Sequence, residues 1–166
     1  MLKYGSVVCA VVALLMLVAS PDAQAQGVKW SVGGNMGLSI ASNTFATSAG
    51  FHFGPMGEVI FNRQLAVGTE FNINTQAGTP IEWGTYFKYY IDAKTVKLKP
   101  YVDAGFGLLF LTGGPYFGIR FGGGVGFMVA KNLYVGPDLQ LGPIFTTGVS
   151  TFYIAIRGGL RYEIPG

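Results

Sequence analysis

From Thr151 to Ile164 the chain alternates without exception. Phe152, Ile154, Ile156, Gly158, Leu160, Tyr162 and Ile164 fall on one side, and Tyr153, Ala155, Arg157, Gly159, Arg161 and Glu163 on the other. Successive side chains of a strand point to opposite faces, so this segment has one apolar face and one face that holds every charge. Any half-buried strand could show that split once. Here it recurs along most of the chain, always with the charges on a single face, which few folds can accommodate.

Eight such segments are readable: Val28 to Ile40, Ala49 to Asn62, Leu65 to Thr75, Pro80 to Asp92, Lys99 to Leu111, Tyr116 to Ala130, Leu133 to Phe145, and Thr151 to Ile164. In the fourth, for example, Ile81, Trp83, Thr85, Phe87, Tyr89 and Ile91 stand against Glu82, Tyr86, Lys88, Tyr90 and Asp92. Each segment reaches the roughly 9 to 11 residues that a tilted strand needs to cross a bilayer. No stretch after residue 26 is long and apolar enough for a membrane helix, yet half of the chain is hydrophobic. Only helices and closed barrels satisfy their backbone groups in lipid. The predicted fold class is therefore all-β, an eight-stranded antiparallel transmembrane β-barrel, apolar outside and polar inside.

The connections differ in kind. Asn62-Arg63-Gln64, Asp92 to Leu98, and Lys131-Asn132 are polar or lysine-bearing, and an even strand count puts them on the side of both strand termini, the periplasmic side. The other four, Ala41 to Ser48, Gln76 to Thr79, Thr112 to Pro115, and Thr146 to Ser150, carry no charge. Pro55, Pro100, Pro137 and Pro143 fall inside the segments and are expected at bulges or strand ends, because proline removes a ladder hydrogen bond.

Ahead of the barrel, residues 1–25 read as a secretory signal peptide. Lys3 supplies the positive region, Val7 to Val18 is an apolar run too short to span a bilayer, and Ala23-Gln24-Ala25 is an A-x-A cleavage site, with Ala23 and Ala25 as its small residues. The one cysteine, Cys9, lies in that run, so residues 26–166 hold no disulfide and no thiol chemistry. The net charge of +3 does not indicate nucleic acid. The surplus cations Arg63, Lys94, Lys97, Lys99 and Lys131 fall in or beside turns and form no patch interleaved with aromatics. Membrane headgroups are their expected neighbours.

Charges within the strands face inward: Lys29, Lys88, Arg120, Arg157 and Arg161 against Glu58, Glu70, Glu82, Asp92, Asp103, Asp138 and Glu163. Buried charges must be paired, and an eight-stranded barrel is just wide enough for side chains to fill. A packed salt-bridge network is expected, with inward Gly105, Gly107, Gly122, Gly124 and Gly126 making room for arginine and tyrosine. Outward aromatics gather at two heights separated by aliphatic residues. Phe51, Phe53, Trp83, Phe110, Phe117, Phe145 and Phe152 lie toward the outer ends, and Trp30, Phe61, Tyr89, Phe127 and Tyr162 toward the periplasmic ends, as interfacial girdles require.

His52 is the single histidine. A catalytic reading would make it a base near the outer rim with Glu82 at similar height, but the nearest serine, Ser48, falls in the preceding loop, and a nucleophile must lie within hydrogen-bond reach of its base. His52 reads better as one more lumen residue. Gly122 to Gly126 is a glycine run in a strand and no phosphate loop, and neither a Cys/His cluster nor a calcium-loop spacing occurs. No catalytic residue, metal or cofactor is expected.

The segment Arg157-Gly158-Gly159-Leu160-Arg161-Tyr162-Glu163-Ile164 resembles the C-terminal insertion signal of bacterial outer-membrane barrels, with Arg157, Gly159, Tyr162 and Ile164 at its pattern positions. In size and pattern, residues 26–166 resemble the small outer-membrane barrel family that includes OmpX and the barrel of OmpA. The resemblance implies residence in the bacterial outer membrane, outer-membrane lipids and the assembly machinery as partners, and a monomer with a filled lumen in a structural or interaction role. The short connections lack the long protruding loops of adhesive members. A narrow channel for small solutes and a lipid-modifying enzyme using His52 are the alternatives.

Overall fold

The computed structural model describes residues 27–61, 64–76, 80–93, 95, 97–111, 114–146 and 149–165. The signal-peptide residues, Ala23 and Ala25 among them, lie outside the described residues, as do Asn62, Arg63 and Lys94. Eight strands form: β1 Lys29–Ser42, β2 Thr47–Phe61, β3 Leu65–Asn74, β4 Ile81–Tyr90, β5 Leu98–Leu111, β6 Gly114–Ala130, β7 Leu133–Thr146 and β8 Val149–Ile164. Each pairs antiparallel with the next, and β8 returns to β1, so the sheet closes without an edge. Among the described residues, no helix is long and apolar enough to cross a membrane.

Alternation places the faces as expected. Along β8, Tyr153, Ala155, Arg157, Arg161 and Glu163 are buried, while Phe152, Ile154, Ile156, Leu160, Tyr162 and Ile164 are exposed. Leu38 is 65% exposed and Ile156 66%, both on the outside, whereas buried Glu58, Glu70 and Arg161 lie inside. A protein in water would not leave so continuous an apolar surface uncovered. The girdles are less distinct than the sequence suggested. Phe106 and Phe121, both exposed, stand mid-strand between them, and Phe106 stacks on Phe117 at 6.3 Å.

Strands run further toward the outer rim than apolar alternation indicated. β1 and β2 extend to Ser42 and Thr47, whose hydroxyls share a hydrogen bond of 2.8 Å, leaving only 43–46 as the connection. There the Asn43 side chain accepts from the amides of Phe45 and Ala46, an Asx turn. The ladder outlasts the hydrophobic pattern because hydroxyl side chains tolerate strand geometry once the chain leaves the apolar band. Ser48 is thus part of β2 and not of a loop. At the opposite rim the tight β6–β7 turn holds Asn132 at φ 62°, a left-handed conformation that asparagine tolerates.

The in-strand prolines are not bulges. Pro100 is near the start of β5, but Pro55, Pro137 and Pro143 are mid-strand. Pairing of β2 with β3 lapses between Phe53↔Ile73 and Met56↔Glu70, then resumes in the same register. β6 and β7 pair with comparable lapses around Pro137 and Pro143, and the register shifts only between Met128 and Ala130. Each of these prolines follows a glycine. A Cβ on Gly54, Gly136 or Gly142 would lie 1.8, 1.7 or 1.9 Å from the carbonyl oxygen of Phe71, Val125 or Ile119. Those carbonyls face the prolines that cannot donate to them. With no side chain on the glycine, the carbonyl that proline leaves without a donor takes up the space a Cβ would fill.

Candidate functional site: the barrel lumen

The inward side chains form three levels. Below the rim that holds both ends of the barrel, Glu58 of β2 accepts from Lys88 at 2.8 Å, Arg161 at 3.2 Å, Tyr90 at 2.5 Å and Tyr86 at 3.3 Å. At mid-height, Glu70 of β3 takes Arg120 of β6 at 2.6 Å and Arg157 of β8 at 3.0 Å, with Asn35 of β1 donating at 3.2 Å. Arg157 also grips Asp138 at 2.5 Å, and Tyr101 donates to that carboxylate at 2.8 Å. Toward the outer rim, Arg120 reaches Glu82 at 2.8 Å.

Each central glutamate therefore holds two cations, and Arg120 and Arg157 each bridge two carboxylates. Sharing of this kind lets a buried charge recover its desolvation cost through several short, charge-assisted bonds. Aromatic faces add to it: the Lys88 ammonium lies 4.8 Å from the Tyr86 ring centre and 4.4 Å from that of Tyr101. Space comes from glycine. A Cβ on Gly84 would stand 1.7 Å from Arg120, and one on Gly124 2.7 Å from the Tyr101 hydroxyl.

Of the residues assigned to the lumen from sequence, Glu58, Glu70, Glu82, Lys88, Arg120, Asp138, Arg157 and Arg161 meet in this network. Glu163 is buried and ion-paired with Lys99, a residue the sequence placed with the surplus turn charges. Asp103 is buried opposite Lys88 in the β4–β5 register but takes no part in the described ion pairs, its Oδ1 lying instead against Gly122. Two assignments fail. Lys29 is exposed at the mouth of the periplasmic vestibule, because β1 begins there and the barrel gives it no cover. Asp92 follows the end of β4 and is also exposed.

Other inward residues are not evident from charge alone. Tyr86, Tyr90, Tyr101, Asn35 and Gln140 complete the network through their hydrogen bonds. Ile60, Ala66 and Tyr90, packed by Tyr101, form an apolar cluster beside the Glu58 level. The tripeptide Val59-Ile60-Phe61 was its sequence signal, a break in binary alternation.

His52 is fully buried, opposite Gly37 on β1 and Asn74 on β3, and neither ring nitrogen has a hydrogen-bond partner in the protein. Ser48 shares its strand face four residues away, about 13 Å at strand rise, well beyond bonding reach. The signal residues divide between the faces. Arg157 is buried in the network and Gly159 stands on the same inward side, whereas Tyr162 and Ile164 are exposed on the outside.

Open space lies mainly at the ends. A periplasmic vestibule of about 480 Å³ is lined by Lys29, Asp92, Lys99 and Glu163. An outer vestibule of about 380 Å³ lies opposite. Between them, amid the charges, are small voids of about 30 and 10 Å³.

No family model and no curated protein matches the sequence. Solved structures do match in fold. The crystal structure of Neisserial surface protein A is similar with a TM-score of 0.67 at 18% identity, over 81% of this chain and 97% of that one. The solution NMR structure of the de novo designed TMB2.3 is similar with a TM-score of 0.50 at 13% identity, over 82% and 97% of the two chains. The fold is that of a small outer-membrane β-barrel. The OmpX- and OmpA-like architecture implied by the sequence is the one observed: eight antiparallel strands in a closed transmembrane barrel. That barrel carries its charge inside and its apolar surface toward lipid.

Proposed function

We propose that the chain resides in the bacterial outer membrane as a monomeric, non-enzymatic barrel whose lumen is a structural core and not a conduit. The observation that carries this is the position of Glu70. It is buried between Arg120 of β6 and Arg157 of β8, so that strands on opposite sides of the barrel are tied across the lumen at mid-height. A path for solutes would have to break these bonds. Neither ring nitrogen of the buried His52 hydrogen-bonds a hydroxyl, the Ser39 hydroxyl on the neighbouring strand being directed to Asn74 and the Gly50 carbonyl, which favours a role without catalysis. Partners are then outer-membrane lipids along the apolar face and, during insertion, the assembly machinery reading Arg157, Gly159, Tyr162 and Ile164.

The test is single-channel conductance of the folded protein in a planar bilayer, with heat-shifted gel mobility establishing that the barrel is intact. A silent bilayer is the expected result. Steady unitary steps would replace this reading with that of a narrow channel, and would make the ion-paired residues its selectivity filter.

A further inference from the structure

The two mouths of the barrel differ in chemistry. The periplasmic vestibule has charged walls. In the outer one, Leu109, Leu111 and Ile144 are inward-facing residues, at positions where the same strands carry glycine, aspartate or glutamine deeper in the lumen. Glu82 is the one charged group among its lining residues. The cup of about 380 Å³ sets these three aliphatic side chains beside uncharged polar ones, Asn74, Gln76 and Tyr153 among them, around a single carboxylate, and it has the size of a small-molecule site.

The anchor is also unsatisfied. Glu82 is 7% exposed, its Oε1 is held by Arg120, and the Asn72 side chain stands opposite it on β3, yet its Oε2 is buried and makes no well-formed hydrogen bond. The charge count points the same way. From mid-height to the outer rim, the linked ion pairs join Arg120 and Arg157 to Glu70, Glu82 and Asp138, one more carboxylate than cation. The free oxygen belongs to the carboxylate nearest the vestibule, which it lines together with the small void behind it. Nothing on the outer connections offers a competing cation, since they carry no charge.

We propose that the outer vestibule binds small amphipathic amines, with the ammonium group donating to Glu82 Oε2 and the apolar body lying against Leu109, Leu111 and Ile144. An anion would meet a carboxylate whose second oxygen has no cation beside it, and a purely apolar molecule would leave Oε2 unsatisfied, so neither gains what an ammonium gains. Selectivity for the cation follows from both terms.

The experiment uses the folded protein in lipid nanodiscs with methyl-labelled leucine and isoleucine, titrated with benzylammonium, benzyl alcohol and benzoate. Benzylammonium is expected to shift the methyl signals of Leu109, Leu111 and Ile144 saturably, while the lipid-facing Leu139 stays unmoved. Benzyl alcohol is expected to bind at least tenfold more weakly, and benzoate not at all. Glu82→Gln should weaken benzylammonium at least tenfold. Should that variant fail to fold, Leu111→Trp at the rim, which touches no ion pair, fills the cup and should abolish the shifts. Equal shifts at Leu139, equal binding of benzoate, or unchanged binding in Leu111→Trp would each overturn the proposal.

Discussion

Arg157 of the last strand and Glu70 of the third meet across the lumen at 3.0 Å, both buried, although 87 residues separate them in sequence. The contact joins parts of the chain that are not neighbours in the sheet. Removing Glu70 would leave Arg157 with Asp138 alone and Arg120 with Glu82 alone at its charged partners. Glu70→Ala is therefore expected to destabilise the barrel by about 3–5 kcal/mol, the cost of stripping a partner from a buried pair. Urea unfolding followed by heat-shifted gel mobility reads this directly, and a change below about 1 kcal/mol would show that the network is not cooperative.

At the Gly-Pro steps the limit is steric. Gly54→Ala places a methyl group 1.8 Å from the Phe71 carbonyl oxygen, a backbone atom that cannot swing aside as a side chain does. Overpacking of this kind costs about 1–3 kcal/mol or more. Gly158→Ala is the matched control, since its nearest neighbour would be 4.0 Å away. The fraction folded after refolding should fall for the first and not for the second. Equal yields would mean that the β2–β3 seam can relax around the added carbon.

Leu139 sits mid-strand on the outside, 45% exposed, between Gly123 of β6 and Ile156 of β8. Leu139→Arg should cost about 2–4 kcal/mol if this face meets the centre of a bilayer. Ser150→Arg, near the outer rim, should cost about 0–1 kcal/mol by the same depth dependence. Comparing the two in bilayers measures the height of the apolar band. Equal costs would contradict the assigned depth.

Asn132 gives a smaller and independent test. Its φ of 62° is cheap for asparagine and cheaper for glycine, but costs a β-branched residue about 1–2 kcal/mol. Asn132→Gly should leave stability unchanged, and Asn132→Val should lower it by that amount in the same urea series.

How much of this was legible follows from what each residue needs. Period-two alternation gave all eight strands and their faces, because every strand touches lipid on one side and charge on the other. Charge sign and face were enough to gather Glu58, Glu70, Arg120 and Arg157 into the lumen. They could not say that Lys29 escapes the network, since that depends on where the sheet stops covering it. Nor could they reveal Ile60 or the cup formed by Leu109, Leu111 and Ile144, where both faces are apolar and alternation has nothing to contrast. Pro100 lies near a strand end as expected, but the mid-strand places of Pro55, Pro137 and Pro143 were hidden for a related reason: the remedy lies in the preceding glycine and in a carbonyl on another strand, and only pairing brings them together.

The uneven distribution of charge between the two rims also gives the barrel a direction of travel. The connections that must pass through hydrocarbon on the way to the outer surface hold no ionisable side chain, whereas Lys97, Lys99 and Lys131 stay behind at the other rim. Carrying each lysine to the bilayer centre would cost about 2.5–3.5 kcal/mol. Entry is thus permitted from one side, and passage the opposite way is opposed by several such penalties at once. A barrel of this construction, once seated, is latched.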